Sequence, residues 1–130
     1  MILVDTSVWI DHIRSAEPKL FDLLQRDVVM THPAVIGEIA LGRSKREEEI
    51  ISSMSKLARA EVADDDEVLI FIRRNALAGS GIGYADAHIL SSVRLTPGVT
   101  LWTRDRRLKA VAQRLGLDAD IEPYRGMQED

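Results

Sequence analysis

Four acidic residues of this 130-residue chain stand beside short apolar segments or in helices predicted to follow them. Asp5 comes directly after the apolar segment Ile2–Val4, and Asp105 follows the run VTLWT. Glu38 lies in the helix predicted after VVMT, and Asp86 lies in the first turn of the helix predicted after GSGIG. A carboxylate at the end of a buried strand costs free energy unless a partner or a ligand compensates its charge. Either a partner elsewhere in the chain or a bound ligand is therefore expected to compensate Asp5.

The four carboxylates are expected to converge on one spot if the apolar segments are parallel strands of one sheet. Ligands of such sheets bind outside the carboxyl ends of the strands, where Asp5 and Asp105 stand. The chain has no cysteine, so a metal bound there must use oxygen or nitrogen ligands. Each acid also has a structural interpretation as a helix cap, a complement to a helix N-terminus or a solvated residue. That interpretation is favoured for Glu38 and Asp86 taken singly, and the combination of four acids favours a site.

The elements that position these acids alternate between short strands and helices. Strands are predicted at Ile2–Val4, in DVVMT and in VTLWT. Helices are predicted from Ser7 to about Ile13 with Thr6 or Ser7 as N-cap, in EPKLFDLLQR, from Pro33 to Gly42, along KREEEIISSMSKLAR through Ala58, from DDDEV to Gly79, in YADAHILSSVRL, and in RDRRLKAVAQRLG with Gly116 as its stop. This alternation favours a single α/β domain over residues 1–130, with a short parallel sheet between helices.

Composition and charge restrict the class of protein further. The hydrophobic fraction of 45% and the charged fraction of 29% are ordinary for a globular chain. The net charge of −4 argues against binding nucleic acid through bulk positive charge, but it leaves an acidic metal-dependent nuclease open. No window reaches transmembrane length and no leader pattern is recognised, so we expect a cytoplasmic protein.

Four motifs in fixed order carry a family resemblance: LVDTSVWI, VIGEIALG, YADAHIL and LWTRD. Together they resemble the PIN domain, and in particular the VapC-type toxins of bacterial toxin–antitoxin pairs. The resemblance extends from about Met1 to Tyr124, and its specificity lies in the ordered set of motifs. It implies a metal-dependent ribonuclease with helices packed around a short parallel sheet.

The resemblance also assigns site residues and a cofactor. The positions matching the acids of the family are Asp5, Glu38, Asp86 and Asp105, of which Asp105 stands where family members vary most. Ser7 and Thr103 match hydroxyl positions beside the metal site. Mg²⁺ or Mn²⁺ suits such carboxylate ligands and would compensate the charge of Asp5.

The partners implied by the resemblance are an RNA substrate, a cognate antitoxin protein and a second copy of the chain. The helices containing FDLLQ and EVLIFI carry much apolar surface. A homodimer interface and additional core packing account for that surface equally well.

Three other functions remain open from the residues. One is a PIN-like module that binds RNA or protein without catalysis. A haloacid-dehalogenase-type phosphatase needs a second aspartate two positions after Asp5, where this chain has Ser7. A response-regulator receiver needs an acidic pair, and only Thr6 is available beside Asp5.

Basic residues near the motifs are candidates for contacts with RNA phosphates, which position a strand without reading its sequence. Arg104 is the favoured candidate because it precedes Asp105, and Arg106 is the second. The remaining candidates are Arg107, Lys109, Arg43, Lys45 and Arg46. Structural roles are predicted for the three histidines and two tryptophans, which are His12, His32, His88, Trp9 and Trp102.

Overall fold

The computed structural model describes residues 1–42 and 46–122. Its elements in chain order are β1 (Ile2–Val4), α1 (Thr6–Arg14), α2 (Pro18–Gln25), β2 (Val29–Thr31), α3 (Pro33–Ala40), α4 (Glu47–Met54), β3 (Ala58–Arg59), α5 (Asp65–Arg74), α6 (Tyr84–Leu95), β4 (Thr100–Trp102) and α7 (Arg106–Arg114). Within these residues, no helix is long and apolar enough to cross a membrane.

The four strands form one parallel sheet in the order β3-β2-β1-β4. Leu3 of β1 aligns with Met30 of β2 on one side and with Leu101 of β4 on the other. The chain therefore builds outward from β1 through β2 to β3 and then returns to the opposite side of β1. A reversal of this kind leaves a crevice at the carboxyl ends of the two strands that flank it, here β1 and β4. The predicted α/β fold with a short parallel sheet is confirmed.

The core surrounds β1 and β4, which are buried between helices. Leu3, Val4 and Leu101 are fully buried, and Trp102 is 1% exposed. The helices contribute apolar side chains to this core, for example Val8, Leu20, Val35, Leu90 and Leu108. The outer side of β4 is covered by residues 117–119, whose backbone exchanges hydrogen bonds with Leu101. Burial on both faces explains why the strands read as continuous apolar runs.

The start of α1 differs from the sequence prediction. Asp5, rather than Thr6 or Ser7, occupies the N-cap position with an extended backbone (φ −72°, ψ 158°). Its carbonyl oxygen accepts hydrogen bonds from the backbone amides of Val8 and Trp9. Its side chain makes no capping hydrogen bond. The carboxylate is therefore available to groups outside the helix.

Two predicted helices are shorter than expected, and one strand was missed. Helix α4 ends at Met54. Ala58 does not continue the helix but belongs to β3, where it pairs in parallel with Met30 of β2. Pairing with the neighbouring strand overrides the local helical pattern there. Helix α5 ends at Arg74, and the backbone reaches φ 52° at Ala76, well before the predicted stop at Gly79.

The remaining boundaries agree more closely with prediction. Helix α3 begins at Pro33 as predicted and ends at Ala40, two residues before the expected stop. Helix α7 ends at Arg114, and Gly116 adopts φ 71°, the left-handed conformation that terminates many helices.

Candidate active site

Asp5 lies at the crevice between the carboxyl ends of β1 and β4 and is only 5% exposed. Its Oδ2 atom accepts a 2.8 Å hydrogen bond from Ser7 Oγ and a 2.7 Å hydrogen bond from Thr103 Oγ1. Among the described residues, no hydrogen bond reaches Oδ1 of Asp5. The structure thus brings Asp5, Ser7 and Thr103 together. The two hydroxyls fix one carboxylate oxygen and leave the other for a ligand.

The two hydroxyls are themselves held by the backbone that follows β4. Ser7 Oγ accepts a 3.0 Å hydrogen bond from the Arg104 amide, and Thr103 Oγ1 accepts a 3.1 Å hydrogen bond from the Asp105 amide. Each hydroxyl has one proton, which it donates to Asp5, and lone pairs that accept from these amides. The first turn of α1 and the β4–α7 connection are therefore locked around one carboxylate.

Glu38 reaches the same region from α3 through a different hydroxyl. Its side chain is exposed, and its Oε1 atom accepts a 2.9 Å hydrogen bond from Thr6 Oγ1. From the sequence, Thr6 was predicted as a possible N-cap and was not assigned to the site. The signal for its role is the pair of adjacent hydroxyls after Asp5, because successive side chains of a helix point in different directions.

Asp86 lies in the first turn of α6 and is partly buried. Its pKa is raised from 3.8 to about 6. Burial is the largest cause, and the negative charges of Asp5, Asp105 and Glu38 raise the pKa further. A backbone hydrogen bond at Gly83 acts in the opposite direction. Asp86 is therefore within electrostatic reach of the other three acids.

Asp105 has the structural role that was one of its two interpretations. It occupies the N-cap of α7, and its Oδ1 accepts a 3.0 Å hydrogen bond from the Leu108 amide. Its side chain is exposed and still influences the pKa of Asp86. Capping and a place beside the other acids are thus compatible at this position.

The four acids form an open set rather than a closed cage. In the described part of the chain, no three Asp, Glu or His side chains are gathered tightly enough to hold one metal ion together. None of the ion pairs found there involves these four carboxylates. Asp5 is a buried carboxylate that interacts electrostatically with Asp86 and has no cationic partner among the described residues, which fits a divalent cation. The oxygen-only donors fit Mg²⁺ or Mn²⁺.

Known proteins resemble this chain over most of its length. The sequence matches the PIN domain over residues 2–114. Ribonuclease VapC32 of Mycobacterium tuberculosis is 46% identical over 117 residues, which cover 90% of this chain and 94% of the relative. The same values hold for strains CDC 1551 / Oshkosh and ATCC 25618 / H37Rv.

The chain belongs to the PIN-domain family. The resemblance drawn from the four ordered motifs is confirmed, and the VapC-type relatives cover nearly the whole chain. Membership of the PIN-domain family excludes the phosphatase and receiver alternatives, which require other folds.

Arg104 was the favoured candidate for a phosphate contact, but in this PIN domain its guanidinium is engaged by three carboxylates. Its guanidinium forms 2.6 Å ion pairs with Asp11 Oδ2 and Glu17 Oε2 and a further ion pair with Glu122. It also lies 5.5 Å from the ring centroid of Trp102, and its side chain is 13% exposed. The structure thus gives Arg104 a role in holding α1, the start of α2 and the segment after α7 together. A phosphate would have to displace a carboxylate to reach it.

Other predicted basic residues of the PIN domain are more accessible. Arg106 and Arg107 are exposed in the first turn of α7. A Cβ atom placed on Gly81 would lie 2.9 Å from Cδ of Arg107, so the arginine stem crosses the backbone of the loop that leads to α6. Gly81 has φ 89°, which a side chain would also oppose.

The remaining basic candidates are engaged elsewhere or fall outside the described residues. Lys109 Nζ lies 3.5 Å from Asp118 Oδ2. Arg46 precedes α4 and is exposed. Arg43 and Lys45 lie outside the described residues, as does Tyr124, the predicted end of the resemblance.

The histidines have structural roles, as predicted. His32 is fully buried, its Nδ1 accepts from the Ala34 amide at 3.0 Å, and its Nε2 therefore donates to Ser92 Oγ at 2.9 Å. Burial lowers the pKa of His32 to about 4, with a smaller contribution from His88. His12 and His88 also bond to backbone groups. Trp9 and Trp102 are core residues, 2% and 1% exposed.

Proposed function

We propose that this PIN domain is a divalent-metal-dependent endoribonuclease of the cytoplasm and the toxin of a bacterial toxin–antitoxin pair. The observation that carries the proposal is the buried carboxylate of Asp5. Two hydroxyls hold its Oδ2, no described residue donates a hydrogen bond to its Oδ1, and its charge acts on Asp86 together with those of Asp105 and Glu38. The name of the relatives, ribonuclease VapC32, supports the same reaction.

We assign the cation, Mg²⁺ or Mn²⁺, to Asp5, Glu38, Asp86 and Asp105. When bound, such an ion polarises the phosphodiester, activates water and stabilises charge on the leaving oxygen. Ser7 and Thr103 keep Asp5 oriented with Oδ1 open. Asp105 has only Oδ2 fully available to a cation, because its Oδ1 also accepts the hydrogen bond that caps α7.

Asp86 and the exposed arginines contribute in other ways. With a pKa of about 6, Asp86 would have to lose its proton in mildly acidic solution before it could hold a cation. Arg106 and Arg107 stand two residues or fewer from Asp105 and are exposed, so we assign RNA phosphate contacts to them.

Cleavage of a structured RNA by purified protein tests the reaction. We expect cleavage with Mg²⁺ or Mn²⁺, none with excess chelator, and none with the Asp5→Asn variant purified in parallel. Full-rate cleavage by the wild type in chelator, with Asp5→Asn inert, would contradict metal dependence. Metal-independent RNA binding by the wild type without cleavage would instead support the catalytically silent module.

The toxin assignment has its own test in cells. Expression of the chain alone should arrest bacterial growth, whereas equal expression of Asp5→Asn should not. Co-expression of the cognate antitoxin, which is to be sought in the adjacent reading frames, should restore growth. Equal arrest by soluble Asp5→Asn protein would exclude the catalytic explanation of toxicity.

A homodimer is part of the proposal, and α5 is the face that we assign to it. Leu69 and Ile70 of α5 are 46% and 51% exposed, so the apolar surface noted in EVLIFI is not all core. Two copies of α5 packed antiparallel across a twofold axis would pair an acidic first turn with a basic last turn. These turns contain Asp65, Asp66 and Glu67 at one end and Arg73 and Arg74 at the other.

Light scattering decides whether this face joins two copies. Wild type and Phe21→Asp should both have the mass of a dimer. Phe21→Asp is the matched control, because Phe21 is a similarly exposed apolar residue that lies on α2 and outside the proposed interface. Ile70→Asp should have the mass of a monomer with unchanged helical content. A monomeric wild type at tens of micromolar, or a dimeric Ile70→Asp, would contradict the assignment.

A further inference from the structure

Thr6 of α1 forms a hydrogen bond with Glu38 of α3. Among the described residues, no other side chain is found hydrogen-bonded to Glu38. Its Oγ1 donates a 2.9 Å hydrogen bond to Glu38 Oε1, across 32 residues of chain. Thr6 is 9% exposed, whereas Glu38 is exposed. A free glutamate side chain on a surface helix samples several rotamers, and fixing it costs conformational entropy. A β-branched threonine in a helix has few χ1 rotamers, so it is a rigid donor.

Thr6 and its neighbour Ser7 divide the acids between them. Adjacent side chains in a helix point about 100° apart. Thr6 accordingly faces Glu38, and Ser7 faces Asp5, to which it donates a 2.8 Å hydrogen bond. The first turn of α1 thus orients two carboxylates that come from different elements, Asp5 after β1 and Glu38 in α3.

We infer that Thr6 is a positioning residue that holds Glu38 toward the cation of the active site. The inference rests on the proposed metal-dependent function. The Thr6 hydroxyl uses one lone pair of Oε1 and leaves Oε2 of Glu38 for the cation or its water. Without that donor, Glu38 turns freely into solvent, and the cation loses a pre-oriented ligand. Outer hydrogen bonds to metal ligands typically change metal affinity by about 10-fold or more.

Three variants separate this role from packing. Thr6→Val keeps the shape of the side chain and removes the donor, whereas Thr6→Ser keeps the donor and removes the methyl group. Thr31→Val is the matched control, because Thr31 is fully buried and, within the described residues, its hydroxyl has no hydrogen-bond partner. Mn²⁺ binding to metal-free protein is measured by calorimetry, and RNA cleavage is measured against Mn²⁺ concentration.

We expect Thr6→Val to weaken Mn²⁺ binding by about 10-fold. Its cleavage should need correspondingly more Mn²⁺, with KM for RNA unchanged. The Mn²⁺ affinities of Thr6→Ser and Thr31→Val should stay within about twofold of that of the wild type. Thr6→Ser keeps the hydroxyl donor, and Thr31→Val leaves Thr6 unchanged. Equal Mn²⁺ affinity of Thr6→Val and wild type would overturn the inference while leaving the proposed function intact. A wild type that binds no Mn²⁺ would overturn both.

A double-mutant cycle keeps the inference testable if Thr6→Val lowers stability. In a Glu38→Gln background, Thr6→Val should cause no further loss of Mn²⁺ affinity, because the acid that it positions has already been neutralised. Additive losses in that background would show that Thr6 acts through general packing, and the positioning role would be rejected.

Discussion

Thr103 donates a 2.7 Å hydrogen bond from Oγ1 to Oδ2 of Asp5, although 98 residues separate them in the chain. Thr103 is 1% exposed and Asp5 is 5% exposed, so this contact is buried. It links the carboxyl ends of β1 and β4 at the crevice between them. The orientation of the first acid of the site therefore depends on the packing of the last strand of the sheet.

The first prediction concerns this hydrogen bond. Thr103→Val should lower the free energy of unfolding of metal-free protein by about 1–3 kcal/mol, because a buried charged acceptor loses a donor. The Asp105 amide also loses its acceptor on Thr103. Urea unfolding in chelator measures the change, with Thr103→Ser as the control that keeps the hydroxyl. Equal stability of Thr103→Val and wild type would mean that Ser7 alone is sufficient for Asp5.

Much of this arrangement was predictable because its signals are local. Three apolar residues followed by Asp5 indicated a strand end with an uncompensated charge, and the structure places that charge at the crevice. Glycine and proline signals gave the start of α3 and the stop at Gly116. The order of the motifs indicated the family, which the relatives confirm.

The features that were missed depend on contacts between distant segments. Strand β3 has two exposed residues and no apolar alternation, and only its pairing with β2 makes it a strand. Arg104 was interpreted from its neighbour Asp105, but Asp11, Glu17 and Glu122 determine its surroundings. Sequence proximity gave no information about those three acids. The same reason explains why Thr6 was predicted as a possible N-cap and not as a residue of the site.

The second prediction is that Arg104 contributes stability. Arg104→Ala should lower the free energy of unfolding by about 2 kcal/mol, because it leaves partly buried carboxylates without their cation. The value is below that of a fully buried pair, since Asp11 is nearly half exposed. Arg104→Lys should recover only part of the loss, because an ammonium group lacks the planar fork that contacts several acids. An unchanged melting temperature for Arg104→Ala would return Arg104 to the list of RNA contacts.

The third prediction assigns RNA binding to Arg107. In the inactive Asp5→Asn background, Arg107→Ala should weaken RNA binding, and the slope of log K against log salt should decrease by about 0.7 for one lost phosphate contact. Fluorescence anisotropy over a salt series gives both quantities. Arg114→Ala is the control from the same helix, because Arg114 donates to the Asn75 carbonyl instead. Equal slopes for Arg107→Ala and Arg114→Ala would exclude a specific phosphate contact.

The fourth prediction uses the raised pKa of Asp86. Between its ordinary pKa of 3.8 and the folded value of about 6, the native state binds more protons at Asp86 than the unfolded chain does. Metal-free stability should therefore fall as pH rises through that interval, and this contribution should be constant above it. Asp86→Asn keeps the shape without the charge and should lack this fall. Full linkage would be about 3 kcal/mol, and partial exposure reduces the expected gain of the variant at pH 7 to about 1 kcal/mol.

In Mg²⁺, the wild type should be more stable than Asp86→Asn, which is the reverse of their order in chelator. Mg²⁺ should stabilise wild type increasingly as pH rises through about 6, because the cation competes with the proton on Asp86 and binds only the folded state. It should stabilise Asp86→Asn much less, and that variant should not cleave RNA. Urea unfolding from pH 4 to pH 8, in chelator and in Mg²⁺, tests both statements. If Asp86→Asn is less stable than wild type at every pH in chelator, its carboxylate is a structural partner of the α6 N-terminus at Gly83, and the acid has been assigned the wrong role.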